Sequence, residues 1–165
     1  MLDGEEAFSY GDLTSPESCL RVSEDLERYV ATEGPYDGIM GFSGGANIAI
    51  SWMLKLQRQN NGRVELPFKV GIFFSHTIPM YDLAALDQGR IVHMDMITDC
   101  LDVPTAHIWG VKDTGQEHVR LACRVCKADK RSVYVHGKGH GISTSVDDTI
   151  GIVKMINRAI TLVEG

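Results

Sequence analysis

Residues 37–47 have the sequence DGIMGFSGGAN, which predicts a strand, a sharp turn and the start of a helix. Residues 41–45 fit the pattern G-x-S-x-G, in which Ser43 sits on a strained strand-to-helix turn. We expect glycine at both ends of this pattern, because larger side chains there would collide with the neighbouring strand and helix. Residues 46–56 are apolar on nearly every face, as in a helix buried against a sheet. The sequence therefore predicts that Ser43 lies at the end of a strand, with helix N–H groups pointing toward it.

A candidate acid and a candidate histidine follow the serine along the chain, each just after a predicted strand. Residues 104–110, PTAHIWG, predict a strand that Asp113 follows. Residues 132–136, SVYVH, predict another strand, which His140 follows. Because open parallel sheets hold their sites at the carboxyl ends of the strands, we expect Ser43, Asp113 and His140 to meet. The serine pattern alone is weak evidence, but the order serine, acid, histidine is that of the α/β-hydrolase fold.

The alternation of strands and helices predicts an α/β fold, an open parallel sheet flanked by helices. The predicted strands cover residues 37–42, 68–74, 104–110 and 132–136, and the predicted helices cover 16–33, 46–56, 115–128 and 149–163. We predict a single domain over residues 1–165, with residues 1–14 as loop, since this length supports one hydrophobic core. Residues 77–103 are irregular, and two interpretations stay open: a cap or substrate-facing loop, and a plain surface connection with one short helix.

The composition, with 44% hydrophobic and 23% charged residues, is that of an ordinary globular protein. A net charge of -6 argues against nucleic acid as a partner. The sequence has no apolar run long enough to span a membrane and shows no secretory leader. We therefore predict no membrane association and a cytoplasmic location, and no cofactor is expected.

The cysteines are predicted to be free thiols in a reducing compartment: Cys19, Cys100, Cys123 and Cys126. Cys123 and Cys126 form a C-x-x-C inside a predicted helix, without a second pair or a histidine at zinc-finger spacing. We therefore predict buried core positions for them and no metal site. The remaining histidines have no partner at a recognisable spacing and are predicted to be structural or solvated: His76, His93, His107, His118 and His136. Asp147 and Asp148 are predicted to lead into the last helix, whose positive end favours carboxylates.

Together the three motifs resemble those of the fungal FSH-type serine hydrolases, a compact branch of the α/β-hydrolase fold that is often encoded beside polyketide pathways. The resemblance is carried by residues 34–43, by 104–110 with Asp113, and by 136–140. It implies that Ser43 is the nucleophile, His140 the general base and Asp113 the carboxylate that orients the imidazole. It also implies that the backbone N–H of Gly44 contributes to an oxyanion hole.

By the same resemblance, the protein is expected to be a serine esterase or thioesterase acting on an acyl ester or thioester, in fungal polyketide or secondary-metabolite biosynthesis. The substrate would be a small acyl ester or thioester, and the acyl group could be bound to a carrier protein or to coenzyme A. The alternative is a catalytically weak or inactive remnant that binds an acyl ligand or a partner protein. Which acyl group is accepted depends on residues 77–103, whose conformation the sequence does not fix.

The sequence departs from the family pattern at its start and in the histidine loop. Family members open with a strand, a His-Gly loop that supplies a second oxyanion donor, a helix and another strand. Residues 2–6 resemble the segment that follows these elements, so an amino-terminally truncated fold lacking two strands and one helix is expected. Loss of one oxyanion donor lowers turnover about 100- to 1000-fold. The serine strand would become an exposed edge, and we expect a homodimer through it. In the histidine loop, Lys138 and Ser143 replace residues that are often glycine and proline.

Overall fold

A computed structural model describes residues 11–12, 14–59, 66–76, 82–90, 92 and 101–164. Its strands are β1 (Gly38–Phe42), β2 (Val70–Phe74), β3 (Thr105–Gly110) and β4 (Arg131–His136). Its helices are α1 (Pro16–Glu33), α2 (Gly44–Gln59), α3 (Leu83–Leu86), α4 (Gln116–Val125) and α5 (Val146–Glu164). The four strands form one parallel sheet in the order β1-β2-β3-β4. The predicted open parallel sheet flanked by helices is confirmed.

The two central strands are buried over their whole length, because helices cover both faces of the sheet. On one face, Ile72 and Ile108 pack with Ile152 and Ala159 of α5. On the other face, Phe73 joins the side chains of α1, α2 and α3 in the larger core cluster. Alternate residues of a strand point to opposite faces, so β2 contributes to both of these clusters, whereas Trp109 of β3 packs in a third cluster with Val119 and Cys123 of α4.

The helix α2 is the most deeply buried helix, as its apolar sequence predicts. Residues 46–54 are buried without interruption, and Trp52 and Met53 are among the largest fully buried side chains. The rings of Trp52 and Phe68 meet in a T-shaped arrangement at a centroid distance of 5.7 Å. Phe68 lies before β2, which begins at Val70, two residues after its predicted start. Burial of side chains of this size is worth about 1.5–3 kcal/mol each, so α2 fixes the position of the turn at its amino terminus.

Strand β1 has a hydrogen-bonded neighbour on one side only among the described residues, namely β2. Met40 and Phe42 are 64% and 44% exposed, whereas Ile39 packs against the core. In this part of the chain the serine strand is therefore the edge of the sheet, as predicted.

Helix α1 has its predicted bounds, whereas the bounds of α2, α4 and α5 differ from the predicted ones by one to three residues. Helix α1 begins as predicted, with the hydroxyl of Ser15 accepting from the N–H of Ser18 at 3.3 Å. Helix α5 begins at Val146 and not at the predicted residue 149, because the Ser145 hydroxyl caps it and accepts from the N–H of Asp148 at 3.2 Å. Helix α4 ends at Val125, before the second cysteine of the C-x-x-C.

The C-x-x-C therefore straddles a helix end and does not lie inside the helix. Cys126 has an extended backbone with ψ 139° and forms a parallel bridge with Leu101. Cys123 and Cys126 are both buried, as predicted, and so is Cys19. Cys100 lies outside the described residues.

Residues 77–103 are described only at 82–90, 92 and 101–103. This part contains the short helix α3, whose amino terminus is capped by the carboxylate of Asp82 accepting from Ala84 and Ala85 at 3.0 and 3.4 Å. The rest of the predicted cap or connection, and residues 1–10 of the predicted loop, lie outside the described residues. No helix in the described ranges is long and apolar enough to cross a membrane.

Candidate active site

The turn at Ser43 has the strained backbone that the sequence predicts. Ser43 has a φ of 53°, in the left-handed region that few residues other than glycine adopt. Its N–H donates to the carbonyl of Phe74 at 2.9 Å, which extends the β1–β2 ladder. Its own carbonyl accepts from the N–H of Ala46 and Asn47 at 3.1 and 3.3 Å, which starts α2. Gly44 is the first residue of α2, where a helical N–H has no acceptor within its own helix.

The two glycines flanking the turn have different reasons to be there. A Cβ on Gly41 would lie 2.6 Å from the Cα of Ala46, so the close approach of α2 to β1 requires glycine. A Cβ on Gly45 would meet nothing within 4 Å among the described residues. The expected collision is confirmed at Gly41 and wrong at Gly45, which faces open space on the exposed side of the helix start.

The structure brings the predicted serine, histidine and acid together. His140 Nε2 lies 3.0 Å from Ser43 Oγ, and His140 Nδ1 lies 2.9 Å from Asp113 Oδ2. The side chain of Asp113 is 2% exposed and that of His140 is 44% exposed. An ionised carboxylate only accepts hydrogen bonds, so Nδ1 carries the proton and Nε2 is free to accept from the serine hydroxyl. The Ser43 hydroxyl thus lies next to an imidazole whose tautomer is fixed by its hydrogen bond to Asp113.

Asp113 is held by the start of α4. Its second oxygen, Oδ1, accepts from the N–H of Gly115 at 3.1 Å. Its own N–H donates to the carbonyl of Gly110 at 3.0 Å, which closes a tight turn after β3. The buried carboxylate is therefore hydrogen-bonded through both oxygens, as a buried charge requires.

The histidine loop lies directly across the carboxyl end of β3. A Cβ on Gly110 would come within 2.1 Å of the carbonyl oxygen of Lys138 and 2.2 Å of that of Gly139. The N–H of Lys112 donates to the same Lys138 carbonyl at 3.0 Å. Sequence reasoning treated Gly110 only as the end of a strand. The glycine at the end of the strand, directly after Ile108 and Trp109, could have indicated this close approach of another backbone segment.

Asp148 anchors the other end of the histidine loop. Its carboxylate accepts from the hydroxyls of Ser143 at 2.5 Å, Ser145 at 2.8 Å and Tyr134 at 2.8 Å. These bonds, that from Ser143 above all, lower the pKa of Asp148 to about 2. The sequence predicted only a favourable charge at the start of α5 for this residue. Ser143, which departs from the family pattern, thus has a defined partner in this loop.

Phe42 lies beside the catalytic candidate His140. The two ring centroids are 5.2 Å apart with a 56° tilt, and Phe42 is 44% exposed. The last residue of β1 thus presents an apolar surface next to the imidazole. Its alternation with Gly41 and Ser43 was visible in the sequence, but its contact with a residue 98 positions away was not.

The remaining histidines divide into buried and exposed ones. His118 is exposed on α4, and His136 is buried, its Nδ1 accepting from the N–H of Lys138 at 3.3 Å. His76 and His107 are fully buried and hydrogen-bond each other, Nε2 to Nδ1, at 3.0 Å. Both are buried inside the fold and not solvated, and the β2–β3 pairing gives them a partner that their spacing in the sequence did not indicate. His93 lies outside the described residues.

Comparison with known proteins finds a family model and fungal relatives that match most of this chain. The family described as "Serine hydrolase (FSH1)" matches residues 11–149. The chain is 30% identical over 172 positions to esterase FPY3 of Fusarium mangiferae, covering 94% of this chain and 73% of that protein. It is 33% identical over 149 positions to hydrolase phiM of Fungal sp. (strain ATCC 74256), covering 90% of this chain and 68% of that protein.

Among solved structures, the alpha/beta hydrolase domain-containing protein 10 from mouse superposes with a TM-score of 0.54 at 12% identity, covering 85% of this chain and 68% of that one. This likeness shows the α/β-hydrolase fold. The chain spans about two thirds to three quarters of the length of these three proteins.

Proposed function

Since this chain belongs to the serine hydrolase (FSH1) family, we propose that it is an esterase or thioesterase with Ser43 as nucleophile, His140 as general base and Asp113 as the orienting carboxylate. One observation carries the proposal: Ser43 Oγ, the imidazole of His140 and the carboxylate of Asp113 are connected by contacts of 3.0 and 2.9 Å. Each residue lies at the carboxyl end of a different parallel strand, where open α/β sheets hold their sites.

The geometry supports a two-step acyl transfer. His140 Nε2 takes the proton of the Ser43 hydroxyl while Oγ attacks the acyl carbonyl carbon, giving a tetrahedral intermediate. His140 then gives that proton to the leaving alcohol or thiol, and the carbonyl re-forms as an acyl-serine. Water, deprotonated by His140, attacks the acyl-serine in the same way and releases the acid and the free serine. Asp113, buried 2.9 Å from Nδ1, stabilises the imidazolium in both steps.

Negative charge on the carbonyl oxygen would be stabilised at the start of α2. The N–H of Gly44 lies in the first helical turn, where the N–H groups have no helical acceptor and the helix dipole is positive. A backbone donor of this kind contributes about 2.7–4 kcal/mol to transition-state stabilisation.

The substrate we propose is an acyl ester or thioester of a fungal secondary metabolite. If it is a thioester, we propose a polyketide bound to a carrier protein or to coenzyme A. Support comes from the fungal relatives, which are named as an esterase and a hydrolase. The exposed ring of Phe42 beside His140 would give an acyl chain an apolar surface next to the reacting serine.

A fluorophosphonate probe tests the nucleophile directly, because it reacts covalently with activated serines. We expect the folded wild-type chain to be labelled, and labelling to be lost in Ser43→Ala. Labelling should fall strongly in His140→Ala but stay unchanged in His118→Ala, a matched control at an exposed histidine outside the site. If the folded wild-type chain is not labelled, the hydrolase proposal fails and the alternative of a ligand-binding remnant replaces it.

A series of p-nitrophenyl esters of increasing acyl length tests the substrate class. We expect the specificity constant kcat/KM to depend on chain length, because an apolar contact adds binding free energy with each buried methylene. Rates that do not vary with chain length would contradict a shaped acyl site. A Phe42→Ala variant should flatten the dependence if the ring contacts the chain.

A further inference from the structure

Three buried side chains that play no part in the proposed hydrolysis converge elsewhere in the fold. His76 follows β2, His107 lies on β3 and Cys123 lies on α4. All three are buried, and one nitrogen or sulfur atom of each lies within 4.8 Å of the other two. Three different elements thus place two imidazoles and one thiol around one point inside the protein.

Among the described residues, hydrogen bonds to other side chains satisfy His107 but only one ring nitrogen of His76. His107 uses both ring nitrogens, Nδ1 toward His76 at 3.0 Å and Nε2 toward the Thr105 hydroxyl at 3.1 Å. His76 uses Nε2 toward His107, whereas its buried Nδ1 has no hydrogen-bond partner on another described residue, and only the backbone of His76 itself interacts with the ring there. Leaving a buried polar atom unpaired is unfavourable by about 1–3 kcal/mol. A simple packing role for the pair leaves this penalty unexplained.

Both imidazoles are in the protonation state that binds metals. Burial lowers the pKa of His76 to about 4 and that of His107 well below its usual value, so both rings are neutral at physiological pH. The Thr105 hydroxyl holds one nitrogen of His107, the kind of outer hydrogen bond that orients a ligating histidine.

The thiol of Cys123 would have to lose its proton on binding. Burial raises the pKa of Cys123, which keeps the thiol neutral in the absence of a bound cation. A coordinated metal ion deprotonates a thiol outright, and the proton leaves to solvent. The guanidinium of Arg131, which donates to the carbonyl of Cys123 at 2.6 Å, is a nearby positive charge that favours the thiolate.

We propose that His76, His107 and Cys123 form a binding site for one thiophilic metal ion, Zn(II) or Cu(I). Imidazole and thiolate ligands select such ions over Mg(II) or Ca(II), which bind oxygen. With metal–ligand distances of about 2.0–2.3 Å, tetrahedral ligands are separated by roughly 3.3–3.8 Å. Atoms that lie within 4.8 Å of one another therefore need to approach by at most about 1–1.5 Å, which side-chain rotation can supply.

Charge and ligand number favour Cu(I) of the two ions. One thiolate and two neutral imidazoles carry a single negative charge. Cu(I) neutralises this charge, whereas Zn(II) leaves the site with a net positive charge. A net charge in a fully buried site is unfavourable. Structural zinc is almost always bound by four ligands, whereas the described residues supply three. A bound ion would join the end of β2, the strand β3 and the helix α4.

The test measures retained metal and a thiolate signature on the full chain. After loading with Zn(II) or with Cu(I) under reducing conditions and desalting, we expect about one ion per wild-type chain and a higher unfolding temperature. Binding of Co(II) as a spectroscopic probe should give a thiolate-to-metal charge-transfer band. Cys123→Ser should lose the band and the retained ion, whereas Cys126→Ser, a matched control at a second buried thiol, should keep both.

Two outcomes would overturn the site. One is no stoichiometric retention and no charge-transfer band in the wild-type chain. The other is equal retention in Cys123→Ser and Cys126→Ser, which would mean an adventitious ion only. The wild-type spectrum decides the question if Cys123→Ser does not fold, and His107→Asn then supplies a second variant. Ser43→Ala should bind metal like the wild type, so failure of the metal site and failure of the hydrolase proposal are distinguishable.

Discussion

Replacing Gly110 by alanine tests how the histidine loop is positioned. The new Cβ would lie 2.1 Å from the carbonyl oxygen of Lys138, whereas side-chain carbons almost never approach closer than 3.0 Å. Both neighbours are backbone atoms, so no flexible side chain can yield. Either the loop carrying His140 retreats by about 1 Å or β3 shifts in the buried centre of the sheet.

A retreat of the loop separates His140 from Ser43. A misplacement of about 1 Å in a catalytic constellation can lower the rate about 100-fold. Overpacking of this kind also destabilises a fold by about 1–3 kcal/mol, which lowers the unfolding temperature by roughly 2–4 °C for each kcal/mol in a chain of this size. We therefore expect Gly110→Ala to lose roughly 100-fold in kcat/KM or in the rate of fluorophosphonate labelling, with a measurable loss of stability.

The same loop contains a matched control, Gly137. A Cβ on Gly137 would meet nothing within 4 Å among the described residues, so Gly137→Ala should keep the wild-type labelling rate and unfolding temperature. If Gly110→Ala is as active and as stable as Gly137→Ala, the loop does not lie across the end of β3. The account of how His140 is positioned would then be refuted.

Three further predictions concern the loop anchor, acid stability and the sheet edge. Asp148→Asn should weaken the three hydroxyl contacts and lower both labelling rate and unfolding temperature, whereas Asp147→Asn, at its exposed neighbour, should change neither. Burial lowers the pKa of His76 from 6.5 to about 4 and that of His107 well below its usual value, so the unfolded chain takes up protons first as the pH falls below 6.5. The free energy of unfolding, measured by urea titration, should therefore stay level above about pH 7 and fall by roughly a few kcal/mol toward pH 4. A pH-independent value would contradict this. Sedimentation at several concentrations should show that the wild-type chain associates through β1. The association should weaken in Met40→Lys but not in Val133→Lys, which lies on the opposite edge strand. A wild-type chain that is monomeric at every concentration would exclude association through β1.

Local sequence determined the elements and the candidate site residues. Periodicity and caps locate a helix such as α1 because its hydrogen bonds join residues four apart. The strand-turn-helix at Ser43 follows from small residues within a few positions of one another. Asp113 and His140 could be named because each follows a strand, and parallel strands end at the same edge of a sheet.

Only the tertiary structure decided which distant side chains touch. Gly110 lies against the histidine loop, and Asp148 accepts hydrogen bonds from hydroxyls of β4 and of the loop before α5. His76 meets His107 through strand pairing, and both meet Cys123 through the packing of α4. Such contacts depend on sheet register and on the angle at which a helix packs, and neither leaves a periodic signal in the chain. The sequence therefore determined which residues stand at the strand ends, and the packing of the sheet against its helices decided what each of them contacts.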